Sequence, residues 1–237
     1  MAVASAAAIE RHPHLAVAPP EGWVRVDLHS HTMWSGDSTT TPDELVDAVA
    51  QSGLDVLCIT DHQAIRGAVE LAEQLPCRVV VGEEMKTQAG ELIGLFLGER
   101  IAPGLSPSAS AVAIRQQGGV VYVPHPFYPM RRNLSAAALD ALVGEGLVDA
   151  IEGLNAKTSL GSLNRRAQQY GEDHNLAVGA GSDAHVPLAL GAAYVEMPDF
   201  DGPVEFLAAL RRGRLVGHHW DQPRPWSPRI VPSVSTL

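Results

Sequence analysis

Residues 24–32 read VRVDLHSHT. In a strand, successive side chains face opposite sides, so Val24, Val26 and Leu28 share one face and Asp27, His29 and His31 the other. Two histidines two residues apart therefore project together and can grip one cation. A lone HxH pair is a weak signal. It gains weight here because the same arrangement recurs along the chain.

The run DVLCIT (55–60) leads into Asp61-His62, and RVVV (78–81) into Gly82-Glu83-Glu84. GGVVYV (118–123) leads into Pro124-His125-Pro126, and LAVGAG (176–181) into Ser182-Asp183-Ala184-His185. Five apolar runs thus end in His, Asp or Glu. In a parallel β/α barrel the carboxyl ends of all strands converge on one face, which carries the active site. Each residue alone could be a cap or a surface group; five strand ends together argue for one pocket.

The rest of the chain supports that architecture. Strands are expected at 24–29, 55–60, 78–83, 92–97, 119–123, 149–153, 176–180 and 192–196. Helices are expected at 42–52, 64–74, 108–117, 135–145, 160–174 and 203–212. The helix at 42–52 has Thr41 at its N-cap, Pro42 at its first turn, Glu44 at N3 and Gly53 past its end. Alternating strands and helices indicate βαβ units. QAGELIGLFLG (88–98) follows the third strand too closely for a helix and reads as a local hairpin. The expected layout is an N-terminal arm, poorly ordered, at 1–22, a barrel at 23–221 and an irregular tail at 222–237 with Trp226 as an anchor.

The 237 residues suit one large domain or a small two-domain protein, and 46% hydrophobic content supplies a sizeable core. A formal net charge of −10 argues against a basic nucleic-acid surface, and no stable nucleic-acid partner is expected. It does not exclude a phosphate substrate, because bound metal ions reverse the local field. Cys58 and Cys77 read as buried small hydrophobes rather than a disulfide. No apolar run reaches the roughly 18 residues of a membrane span. The N-terminal stretch MAVASAAAIERHPH has neither the basic region nor the long apolar region of a signal peptide, so the expected location is cytoplasmic.

Imidazole and carboxylate ligands suit Zn, Mn or Fe, and their number exceeds the needs of one ion, so two or three divalent ions are expected. Arg131 and Arg132 follow His125 on the active-end loop and are candidates to contact phosphate. Arg66 is a weaker candidate. His12, His14 and His174 read as ordinary exposed residues, and His218 and His219 are hard to place.

Together, DLHSHT (27–32), SGDSTTTPDELVDAV (35–49), ITDH (59–62), GEE (82–84), PHP (124–126) and GSDAH (181–185) resemble the PHP (polymerase and histidinol phosphatase) superfamily. The resemblance implies a distorted (β/α)7, TIM-like barrel and a metal-dependent phosphoesterase. Within the superfamily it points to stand-alone enzymes that act on a nucleoside monophosphate or another small phosphorylated metabolite. Carried over residue by residue, it makes His29, His31, Asp37, His62, Glu84, His125, Asp183 and His185 metal ligands, with Glu84 bridging and Glu83 as the alternative. His185 could also protonate the leaving oxygen. Trinuclear relatives carry a further histidine after the one matching His125; Asn155 stands in that neighbourhood, which puts a third ion in question. The implied mechanism uses the metals to activate water, hold phosphoryl oxygens and neutralise developing charge. Two other readings remain: an amidohydrolase-like metallohydrolase, and a metal- or nucleotide-binding module without turnover. Asp61 reads as structural.

Overall fold

The computed structural model describes residues 2–220; the expected tail with Trp226 lies outside them. Among the described residues, nine strands form one sheet: β1 (Trp23–Ser30), β2 (Val56–Ile59), β3 (Arg78–Thr87), β4 (Gly90–Leu95), β5 (Val120–Val123), β6 (Ala150–Asn155), β7 (Ala177–Gly181), β8 (Ala193–Pro198) and β9 (Arg214–Gly217). Their order is β7-β6-β5-β4-β3-β2-β1-β8-β9. Strands β1, β2 and β3 pair in parallel, as do β5, β6 and β7. The expected hairpin is β3–β4, which turns at Gln88-Ala89 and makes β4 antiparallel to both of its neighbours.

The sheet curls until its first and seventh strands meet. Ser30 bridges Ala184 in parallel, Asp183 N donates to His29 O at 2.8 Å and His31 N donates to Ala184 O at 2.9 Å. This closure makes the distorted (β/α)7-type barrel. β8 and β9 extend it as an antiparallel flap on β1. β9 was not anticipated: four residues directly after an arginine-rich turn give little periodicity to read.

The α-helices of the described residues are α1 (Ala6–Arg11), α2 (Pro42–Ser52), α3 (Arg66–Leu71), α4 (Pro107–Gln116), α5 (Ala136–Gly144), α6 (Gly161–Asp173) and α7 (Gly202–Leu210). Among the described residues none is long and apolar enough to cross a membrane. The two-residue period of the strands divides the core. Cys58, Val80 and Tyr122 pack in one cluster with Leu28. Their sequence neighbours Leu57 and Ile59 pack under Leu45 and Val49 of α2 and Leu71 of α3, while Val121 and Val123 pack under Ile114 of α4 and Leu139 of α5. At α2 the expected cap is present: Glu44 N donates to Thr41 Oγ1 at 3.4 Å, Thr41 N donates to Glu44 Oε2 at 2.9 Å, and Gly53 closes the helix at φ +70°.

The N-terminal stretch departs from the loose arm expected of it. Ser5 caps α1, residues 13–16 make a 3-10 turn, and Leu15 is buried. Arg25 reaches back from β1 to the carbonyls of Leu15 and Val17. His12 and His14, expected to be exposed, are respectively fully and partly buried and contact the carbonyls of Leu188 and Gly191 at 3.0 and 2.8 Å. His174 is exposed as expected.

Candidate metal centre

β1 carries His29, with His31 just past its end, through an irregularity that its sequence did not reveal. Asp27 pairs with Leu57, but Ser30 pairs with Ile59, so β1 carries one extra residue between these points. Leu28 and His29 consequently both reach β7. A Cβ at Gly179 would lie 2.8 Å from Leu28 Cδ2, and one at Gly181 would lie 2.4 Å from His29 Cβ. The glycines of LAVGAG are what let β7 lie against the ligand strand.

The histidines and carboxylates converge in overlapping groups. His29 Nε2 and His31 Nε2 are 3.0 Å apart, and both lie near Asp183 Oδ1, at 3.8 and 3.6 Å. Asp37 Oδ2 is 3.2 Å from His185 Nε2 and 3.6 Å from His62 Nε2. Glu84 lies between all of these: its Oε2 is 3.2 Å from His31 and 3.3 Å from His62, and its Oε1 is 3.0 Å from His125. Within each of the sets His31-Asp37-His62-His185, His29-Glu84-His125 and His29-His31-Asp183, the ligand atoms lie within 4.8 Å of one another. All eight expected ligands therefore share one pocket. Glu83 does not: its Oε2 accepts from Ile101 N at 2.8 Å, and burial pushes its carboxyl up to about 7.

The donor chemistry fits cations. His29 Nδ1 is 3.1 Å from Glu152 Oε1, a contact that orients the ring and turns Nε2 toward His31 and Glu84. His62 Nδ1 is buried without a hydrogen-bond partner among the described residues. Burial favours neutral acids, yet Glu84 is held well below the usual carboxylate range by His29 and by hydrogen bonds from His125, His29 and His31. Asp183 is likewise lowered by Lys157, His29 and Arg131 against its burial. His29 itself is raised, because Glu152, Asp183 and Glu84 outweigh its desolvation, whereas desolvation and His185 push His31 down. Carboxylates and imidazole nitrogens gathered around common points in this way are the donor types that could hold divalent metal ions.

Two of the expected ligands sit in strained backbone. His125 and Asp183 have φ of +29° and +49°, a region that non-glycine residues adopt rarely and that clusters at functional sites. His125 N donates to Glu152 Oε2 at 2.6 Å, which holds that turn.

Other expectations divide. Arg131 Nη2 reaches Asp183 Oδ2 at 3.4 Å. Arg132 does not enter the site: its side chain is exposed, and only its carbonyl takes part, accepting from Glu91 N at 2.7 Å. Arg66 is drawn to Glu70 on the surface of α3. Asp61 is structural, accepting Thr32 N and Oγ1, each at 2.6 Å. Asn155 is engaged in hydrogen bonds at both ends of its amide. Its Oδ1 accepts from Lys157 N, and its Nδ2 donates to Glu152 and Asp183 at 2.9 and 3.2 Å. His219 Nδ1 contacts Ala156 O, next to the site, and His218 joins His14 at 3.3 Å, away from the ligands.

Three site residues escaped the sequence reading. Glu152 orients His29 and His125 from β6. Glu91, on β4, is buried with ligand atoms grouped with those of His62 and Glu84, and it lies 3.9 Å from His125 Nε2. Lys157 Nζ is 3.1 Å from His185 Nδ1 and 3.4 Å from Asp183 Oδ1. Glu152 and Glu91 are acids within otherwise apolar strands, and that was the available signal.

A family model described as PHP-associated matches residues 161–215. The chain is 36% identical to the uncharacterized protein MJ1587 of Methanocaldococcus jannaschii over 157 residues, 61% of this chain and 89% of that protein. It is 33% identical to the uncharacterized protein MJ0417 of the same organism over 198 residues, 79% of each. A solved two-domain protein from Bacteroides vulgatus, containing a predicted PHP-like metal-dependent phosphoesterase, shares the fold at a TM-score of 0.67 and 22% identity, over 85% of this chain and 67% of that one. With the PHP-associated segment in place, and archaeal relatives covered over most of their length, the chain belongs to the PHP family.

Proposed function

We propose that this PHP-family chain is a metal-dependent phosphoesterase that hydrolyses a small phosphomonoester, such as a nucleoside monophosphate or another small phosphorylated metabolite. The observation that carries the reading is Glu84, buried and ionised, with four histidines of three ligand groups within about one contact of its two oxygens. Zn, Mn or Fe ions, two or three in number, held there would activate water for attack on phosphorus and neutralise charge on the phosphoryl group.

The chain's own residues set the geometry. Glu84 joins the ligand groups. His29, His31 and Asp183 make one of them, and Asp37, His62 and His185 another. His125, with Glu84 and His29, makes the third, and Glu91 lies 3.9 Å from His125 Nε2. Glu152 fixes the His29 ring and the turn at His125. Arg131 offers a planar fork beside Asp183, suited to two phosphoryl oxygens. We assign His185 to the metal rather than to protonating the leaving group, because its Nε2 faces Asp37 and its Nδ1 lies 2.8 Å from Asp183 O.

The test is a panel of phosphomonoesters, phosphodiesters and amides offered to metal-reconstituted wild type and His29→Ala. Phosphate release from monoesters by the wild type, reduced at least about a hundredfold in the variant, supports the reading. Undiminished release by His29→Ala removes the site from the chemistry. Amide turnover without phosphate release favours the amidohydrolase alternative, and inertness toward the whole panel favours a binding module.

A further inference from the structure

We propose that Lys157 is a phosphoryl-binding residue which, together with Arg131, supplies protein-borne positive charge at the Asp183 corner and makes the site select phosphomonoester dianions over diesters. The inference rests on the phosphoesterase reading and deepens it.

Lys157 is not placed like a surface lysine. Its side chain is 20% exposed, and its ammonium touches two residues of different ligand groups, Asp183 and His185. The backbone around it is pinned from several directions. Lys157 N donates to Asn155 Oδ1 at 2.9 Å, Ala156 N donates to Gly181 O at 3.1 Å, and Trp220 N donates to Ala156 O at 2.8 Å. A residue held this way presents its ammonium at a set position, which lowers the entropy cost of gripping a ligand.

Two cations converge on one carboxylate. Lys157 approaches Asp183 Oδ1, and Arg131 approaches Oδ2, each at 3.4 Å. Asn155 Nδ2 donates to the same Oδ2. One carboxylate does not need two full cations for charge balance. Were Asp183 engaged as a metal ligand, Lys157 and Arg131 would be left beside it to face a bound anion. A monoester dianion offers three non-bridging oxygens and two charges to this pair and gains a charge-assisted contact from each. A diester offers two such oxygens and one charge.

The experiment measures binding of inorganic phosphate by calorimetry to metal-loaded wild type, Lys157→Met and Lys157→Arg. Bound metal is measured in each sample, and kcat/KM is measured for a phosphomonoester and a diester. The expected result for Lys157→Met is phosphate binding weakened about tenfold, the loss of one hydrogen bond to a charged group. Metal content stays at the wild-type value, monoester turnover falls chiefly through KM, and the diester is less affected. Lys157→Arg restores most of the phosphate affinity. Unchanged phosphate affinity at full metal content in Lys157→Met overturns the proposal, and so does metal loss that Lys157→Arg fails to repair, which would make Lys157 a counter-ion for Asp183. If wild type binds no phosphate and hydrolyses no phosphoester, the phosphoesterase reading falls with it. Activity and phosphate binding in wild type with indifference to Lys157 sink this inference alone.

Discussion

Glu152 contacts none of the ligand clusters' centres, yet three groups depend on it. His29 Nδ1, His125 N and Asn155 Nδ2 all address its two oxygens. Glu152→Gln preserves the shape but puts an amide where His29 needs an acceptor. Metal affinity is expected to fall about tenfold to a hundredfold, read by competition against a chelator; undiminished affinity would show that the tautomer of His29 is set elsewhere. Most of the expected ligands were legible as candidates because they stand at the ends of apolar runs, where chain direction alone brings them to one face; Asp37, in the loop after Ser35, was reached only through the resemblance. Glu152 and Glu91 were not, because they lie inside strands. Their role depends on which strand faces them across the barrel, and that is a long-range property. Arg132 was misplaced for a related reason: two adjacent loop arginines look alike in sequence, and the turn sends only Arg131 inward.

At the level of elements, strand β7 is the most constrained. Beyond His29 Cβ at 2.4 Å, a Cβ on Gly181 would also lie 3.0 Å from His29 N, and backbone cannot move aside as a flexible side chain can. Gly181→Ala is expected to cost about 1–3 kcal/mol of stability and to weaken metal binding as β7 shifts from β1; denaturant unfolding and metal content would each show it. Helix α2 offers a milder test. Thr41→Ala removes one side of the capping box and should cost about 1 kcal/mol with turnover unchanged. α2 could be read directly because its start and stop signals are local. The bulge in β1 could not, because a slip of register leaves no mark in a run of alternating residues.

Over the whole molecule, the chain's beginning and the last described residues tie down the loops that carry the ligands. His12 and His14 hold the 186–191 loop that follows His185, while Trp220 and His219 hold Ala156 beside Lys157. Burial pushes His12 down to about 4, against the raising effect of its contact with Leu188, and pushes His14 and His218 down as well. Below its ordinary value near 6.5 the unfolded His12 takes a proton that the folded site refuses. This stability is therefore present above about pH 6.5 and is lost as pH falls toward about 4. Residues 2–17 should lose hydrogen-exchange protection at about pH 5 relative to about pH 7.5, and His12→Asn should reduce that difference. Equal protection at both pH values would contradict it. None of this was readable from an alanine-rich leader, since its partners lie at the opposite end of the chain.

The most direct test of the metal centre is phosphate release from a phosphomonoester by protein stripped exhaustively with chelator, before and after stepwise return of Mn, Zn or Fe ions. A centre built on Glu84 and its histidines predicts no turnover in the stripped protein and recovery that requires about two equivalents of metal per chain. Full turnover by the stripped protein would contradict it.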